Sequence, residues 1–269
     1  MTVRVVAEEM GRAESTISRI ELGEVPTRPV DARSLCQLYG VDDETTAALM
    51  ALAKETKSSG WWHAYGDVIP TWLNIYIGLE EAATELRIYH SELVPGLLQT
   101  ADYTTALIRS NLADVDPEEI EKRVAVRQSR QRLITRESAP PQLHIVLNEA
   151  VLRRAVGGRH VMAAQCLRLA ELSELPHIQL RILPFSSGTH AAMPFGPFVI
   201  LGFPKTGTGR EIEPSTVYIE GMTGALYLDQ AHEVAHYESA FAEIMADVDD
   251  ERGMKTRELL RTISQEMKR

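Results

Sequence analysis

The stretch VRVVAEEMGRAESTISRIELG, residues 3–23, sets two short amphipathic segments on either side of one glycine. Val3, Val6, Ala7 and Met10 recur at the three-and-four spacing of one helix face, and Gly11 then stops that helix. Residues 14–22 read as a second short helix with Ile17 and Ile20 on one side and Gly23 as its C-terminal stop. Turning both isoleucines inward, at about 100° per residue, turns Ser15, Ser18, Arg19 and Leu22 outward with Glu14 on the flank. Two short helices on a tight turn, the second polar on one side, have the sequence form of a helix-turn-helix.

In that arrangement the second helix would meet the major groove of double-stranded DNA. Arg19 has the fork that takes the two acceptors of guanine, and Ser15 and Ser18 can bond base edges or phosphate. Arg12 and Arg28 flank the helix and suit phosphates. The candidate DNA-binding set is therefore Arg12, Glu14, Ser15, Thr16, Ser18, Arg19 and Arg28. A serine face on a short helix is also what a merely solvated surface looks like, so periodicity alone leaves both readings open.

Outward from this segment, Pro26 and Pro29 mark a loop, and Asp31 is expected to cap a third helix carrying Leu35, Leu38 and Tyr39. Asp42 or Asp43 can cap a fourth, with Leu49, Leu52 and Ala53 on one face. Lys57, Ser58, Ser59 and Gly60 are a linker signal, followed by the aromatic cluster Trp61, Trp62, Tyr65, Trp72 and Tyr76. The expected division is a helix-turn-helix module over 1–58 and a larger domain over 59–269. In the second part helices are expected over 71–93, 101–111 and 117–135, with Asp116 capping the last and Pro117 at its first position. After Pro140 and Pro141 the period falls to two: strands are expected at 143–147, 178–183, 198–202, 216–219 and 225–228, with helices at 149–156 and 161–175 between them. Residues 186–197 form a long loop, a candidate for function, in which His190 is expected to be solvated. Helices over 230–248 and 251–267 close the sequence. The fold class is α+β, predominantly helical, with a small, mainly antiparallel sheet.

The chain has 269 residues, 44% hydrophobic and 25% charged, which is the composition of an ordinary globular protein and excludes a disordered or collagen-like chain. A net charge of −10 provides no general attraction to phosphate and excludes a protein that coats nucleic acid or anionic lipid. Residues 1–33 carry five basic and six acidic side chains, so any DNA contact must come from a local patch. No apolar run reaches the roughly 20 residues of a membrane helix, and no secretory pattern opens the sequence, so the chain reads as cytoplasmic. Cys36 and Cys166 are too few for a thiolate zinc site or a disulfide framework and read as small core residues.

STISRIELG, residues 15–23, resembles the second helix of the lambda-repressor-like (XRE-type) helix-turn-helix regulators, and TVRVVAEEMG, residues 2–11, is similar to the helix that precedes it. The likeness continues through LCQLYGVDDETTAALMALAKETKSSGWW (35–62), LVPGLLQTADYTTALI (93–108), PFGPFVIL and VYIEG, and resembles one actinobacterial regulator family nearly end to end. That resemblance implies an antitoxin-like transcriptional regulator, not an enzyme and without a cofactor. It would bind operator DNA as a homodimer, its C-terminal domain of uncharacterised function acting in sensing or partner binding, and it is often encoded beside a small partner protein. The family's module begins with an arginine-rich helix, and this chain starts at the second helix of that pattern. Val3, Ala13 and Leu22 stand where the family usually has glutamine, a capping serine or threonine, and asparagine.

A rival motif lies near the other end. His232, Glu233 and His236 spell H-E-x-x-H, which on a helix puts two imidazoles one turn apart with a glutamate able to activate a zinc-bound water. Asp229 and Glu238 flank it and Ser239 stands where a metzincin needs glycine, so a third ligand is missing; Glu251 or Glu258 has no motif to support it. Val234, Tyr237, Phe241, Ile244, Met245 and Val248 make the same helix an ordinary amphipathic one. A zinc metallohydrolase and an interaction protein that has lost DNA binding stand as the alternatives. Gly157-Gly158 and Gly207-Thr208-Gly209 read as turns, and Lys122, Arg123, Arg127, Arg130 and Arg136, offset by Glu118, Glu119, Glu121 and Glu137, read first as a solvated helix surface and second as a partner surface.

Overall fold

Thr2 and Gly11 bracket the first helix, α1 (Val3–Met10): the Thr2 side chain accepts from the amide of Val5, and Gly11 takes the left-handed conformation that its missing Cβ permits. The structure, a computed structural model, describes residues 1–21, 25, 27–55, 61–66, 68–111, 116–136, 139–204, 213–248, 250 and 253–268. Leu22, Gly23, the linker at 57–60, Glu137, the 207–209 turn and Glu251 lie outside the described residues. Two compact units are formed, one built mainly on Met1–Ala64 and the other on Tyr65–Phe203 and Pro214–Arg269.

In the first unit α1 is followed by α2 (Glu14–Glu21), α3 (Pro29–Tyr39) and α4 (Asp43–Glu55). Val6, Ala7, Ile17 and Leu35 form the buried centre, with Val3, Met10, Ile20 and Leu38 packed around it, so both apolar faces meet as their spacing requires. Asp42 caps α4, accepting from the Thr45 amide at 2.8 Å and the Thr45 hydroxyl at 2.9 Å. The expected cap of α3 is corrected. Arg28 holds the capping position without a side-chain capping bond and Pro29 opens the helix, so Asp31 lies inside its first turn.

The second unit begins its regular structure with α5 (Thr71–Ala82) and β1 (Glu85–His90). The single helix expected over 71–93 is thus corrected to a helix and the central strand of the sheet. After β1 come α6 (Ala101–Asn111), α7 (Pro117–Arg130), α8 (Arg132–Thr135), β2 (Gln142–Asn148), α9 (Glu149–Arg153), α10 (Arg159–Leu172) and β3 (Ile178–Leu183). The chain continues through β4 (Phe198–Gly202), β5 (Thr216–Gly221), β6 (Gly224–Leu228), α11 (Ala231–Asp247) and α12 (Met254–Lys268). Among the described residues these strands make one six-stranded sheet in the order β3-β2-β1-β4-β5-β6. The pairs β1–β2 and β2–β3 are parallel, and β1–β4, β4–β5 and β5–β6 antiparallel, so the fold is α+β with a mixed sheet. Both parallel links return through helices, as the geometry of a parallel pair demands.

Alternation along the strands feeds two cores. Leu86, Ile88, Leu143, Ile145, Leu147, Leu180, Ile182, Val199 and Leu201 pack with residues of α9, α10 and α12 on one face. Tyr89, Val146, Phe198, Ile200 and Val217 pack with Val234, Phe241 and Ile244 of α11 on the other. Residues 186–197 join this second core, with Ala192 buried and Phe195 against Tyr237, and His190 is half-buried with its ring edge on Tyr89 rather than solvated. Cys36 and Cys166 are buried core residues, and burial pushes the Cys166 thiol up to about 12.

Candidate nucleic-acid interface

The turn between α1 and α2 is closed by the backbone: the amides of Gly11 and Arg12 donate to the carbonyls of Glu8 and Ala7 at 3.2 and 2.9 Å. Ala13 then starts α2 through its carbonyl, which accepts from Thr16 at 2.9 Å and Ile17 at 3.2 Å, and its methyl group supplies no side-chain cap. Ile17 is 0% exposed and fixes the rotation of α2 about its axis. With that side chain inward, Glu14, Ser15, Thr16 and Arg19 are exposed and Ser18 and Ile20 half-buried. Ser15, Thr16 and Arg19 therefore share one accessible ridge, with Ser18 half-buried at its side.

Arg12 precedes α2 and Arg28 precedes α3, and both guanidinium groups converge on Asp31. Arg12 Nη2 donates to Asp31 Oδ1 at 3.0 Å, and Arg28 Nε and Nη2 donate to Oδ2 and Oδ1 at 2.6 and 3.0 Å. The hydrogen bonds and charge of Asp31 raise the Arg28 pKa further above its ordinary value. The side chains of Arg12 and Arg28 remain 39% and 51% exposed, so each keeps donors on the solvent side while one buried carboxylate offsets part of their charge. The i, i+3 spacing of Arg28 and Asp31 was the available sequence signal for this cluster; the reach from Arg12, 19 residues away, had none. Tyr39 adds a second tie, its hydroxyl donating to the Glu21 carboxylate, and that bond pushes the phenol up to about 12.

Glu14 puts a carboxylate on the positive end of α2, where the helix dipole favours it and a DNA phosphate would not. Arg4 pairs with Glu8 on the exposed side of α1 at 3.2 Å.

The H-E-x-x-H residues sit on α11 in another setting. Val234, Phe241 and Ile244 face the sheet while His232 and His236 are exposed and Glu233 is half-buried. Among the described residues no group of three His, Cys, Asp or Glu side chains is placed to hold a metal ion. The basic face expected on α7 is corrected in part. Lys122 and Arg123 pair with Glu118 and Glu119 on the surface, but Arg130 is buried against Glu80 and Arg127 is half-buried against Gln99.

Residues 1–49 match the model of a helix-turn-helix domain, so the N-terminal unit carries the fold of DNA-binding regulators. Residues 73–261 match the family described as a domain of unknown function (DUF5753), and the chain belongs to that family. No curated protein and no solved structure matches the chain. Among the described residues no helix is long and apolar enough to cross a membrane.

Proposed function

We propose that the chain is a sequence-specific, XRE-type transcriptional regulator in which α2 enters the major groove of operator DNA. The observation that carries this reading is the full burial of Ile17, which turns Ser15, Thr16 and Arg19 to the outside of a helix-turn-helix. Arg19 and the serines read bases, and the solvent-side donors of Arg12 and Arg28 approach phosphates. Two copies spaced by about one DNA turn complete the operator, so the working form is a homodimer. The second unit gates occupancy without catalysing a reaction, as an antitoxin-like sensing or partner-binding domain in the cytoplasm. The resemblance in sequence supports that role, including a small neighbour-encoded protein as partner.

Retardation of the DNA upstream of the protein's own coding sequence, followed between about 50 and 200 mM salt, tests the reading. Binding is expected to weaken steeply with salt, and Arg19→Ala to lose roughly 10- to 100-fold, the discrimination of one bidentate base contact. Equal retardation by the variant removes Arg19 as the reader. The acidic excess of residues 1–33 favours one alternative, an interaction protein that has lost DNA binding, for which no retardation at the lowest salt and a stable complex with a neighbour-encoded protein are expected.

A further inference from the structure

The segment VPGLLQT, residues 94–100, is held by an unusual number of polar side chains. Gln99 Nε2 donates to the Val94 carbonyl at 2.6 Å, Gln131 Nε2 to the Gln99 carbonyl at 2.6 Å, and Gln165 bonds Leu98 and Thr100 at 2.8 and 2.7 Å. Over this rigid turn α7 lays two arginines. Arg130 gives Nε and Nη2 to the two oxygens of Glu80. Among the described residues Arg127 makes one side-chain bond, from Nη1 to Gln99 Oε1 at 3.0 Å, and that oxygen already accepts from Thr104 at 3.0 Å. A Cβ on Gly96 would lie 3.4 Å from Arg130 Nη1 and 3.6 Å from Arg127 Nε, so the two guanidinium groups roof the bare Cα of this glycine. Neither of those nitrogens has an acceptor among the described residues.

Two guanidinium groups share one hydrogen-bonded carboxylate, Glu80; Glu220, a second acid whose field reaches both, is exposed and makes no ion pair among the described residues. Burial together with the charge of Arg130 lowers the Arg127 pKa to about 10, against the fields of Glu220 and Glu80. On the same side of the sheet the Tyr218 hydroxyl is buried with no partner among the described residues, and its ring stacks at 4.0 Å on Tyr76, over which Arg130 lies. A half-buried surplus cation beside idle donors is costly unless an anion completes it.

We propose that Arg127, Arg130 and Gly96 form a binding site for a small oxyanion, the carboxylate or phosphate group of a metabolite-sized ligand. Arg130 is kept charged and oriented by Glu80, its Nη1 and the Arg127 Nε lie over Gly96 without an acceptor among the described residues, and Arg127, partly open to solvent, is the entry side. This site lies in the second unit and does not depend on the DNA-binding reading.

Thermal unfolding and calorimetric titration of the full chain with inorganic phosphate and with acetate, against chloride at equal ionic strength, test it. A saturable rise of about 5 °C at a hundredfold excess over Kd is expected from at least one anion. Response to phosphate alone assigns a phosphorylated ligand and response to acetate alone a carboxylate. Arg127→Met removes the response yet unfolds no lower than the parent in anion-free buffer, because it deletes an uncompensated charge. Arg123→Met, on the same helix and paired with Glu119, keeps it. Should Arg127→Met fail to fold, Arg127→Lys is expected to bind at least tenfold more weakly. No saturable shift with either anion, an undiminished shift in Arg127→Met, full affinity in Arg127→Lys, or a folded Arg127→Met that melts well below Arg123→Met would each overturn the proposal.

Discussion

The guanidinium of Arg130 and the carboxylate of Glu80 meet edge to edge inside the second unit, through bonds of 2.8 and 2.7 Å, with side chains only 8% and 1% exposed. Burial works against the charge of Arg130, and the facing carboxylate outweighs it, holding the pKa above its ordinary value. The pair joins α7 to α5 and orders the Tyr76 ring beneath the guanidinium.

Removing one charge of such a pair strands the other away from water. Glu80→Gln, which keeps the shape, is expected to destabilise the second unit by about 3–5 kcal/mol. The midpoint of urea unfolding, read by tryptophan and tyrosine signals, measures the loss; a change under about 1 kcal/mol would show that Arg130 finds another partner.

Asp31 restrains Arg12 and Arg28, the two candidate phosphate contacts. Asp31→Asn is expected to loosen Arg12 and Arg28, tighten DNA binding, and steepen the dependence of log K on log salt by about 0.9 for each phosphate newly contacted. An unchanged slope would show that neither arginine reaches the backbone.

Ile17 and Ile20 lie on the same helix, yet only Ile17 is fully enclosed. Ile17→Ala is expected to cost about 2–5 kcal/mol and Ile20→Ala distinctly less, because a cavity forms only at the first. Amide hydrogen exchange over residues 3–21 reads the difference locally, while the amides of β1 and β2 keep their protection.

Burial pushes His90 down to about 4, against a hydrogen bond to the Leu93 backbone that favours its charged form. The unfolded chain takes up a proton near the ordinary 6.5 and the folded chain resists until about 4, so stability is complete above pH 6.5 and falls across that window. Acidification from pH 7 to 5 is expected to cost about 2 kcal/mol from this residue. His90→Asn removes that part of the slope, which urea midpoints at the two pH values check.

The helix-turn-helix was legible because its two apolar stripes are short, clean and separated by a glycine that permits the left-handed turn. Strands β2 to β6 were legible for a related reason, since Gly, Pro and Asn cut the apolar alternation into lengths too short for helices. Strand β1 was hidden: no breaker stands between Ala82 and Glu85, and Leu86, Ile88 and Tyr89 continue the apolar density of the helix before them. Its strand character comes from neighbours on both sides, β2 and β4, which local sequence does not contain. At the candidate interface the outward ridge followed from the position of Ile17. The Asp31 cluster did not, because an aspartate just after a proline looks like a helix cap until the fold brings Arg12 across. Likewise Arg127 and Arg130 belong in sequence to a charged stretch, 118–137, with glutamates at both ends, and only the packing of α7 on α5 and the 94–100 turn separates them from the solvated face.

Strand β1 also sets an order of events during synthesis. Its register on β2 needs residues 142–147 and its register on β4 needs residues 198–202, so both of its ladders stay open until those codons have been translated and the segments have left the ribosome. Residues 1–55 can meanwhile close their own small core, so a nascent chain would carry a finished head while the centre of its sheet still waits for more than half of the message.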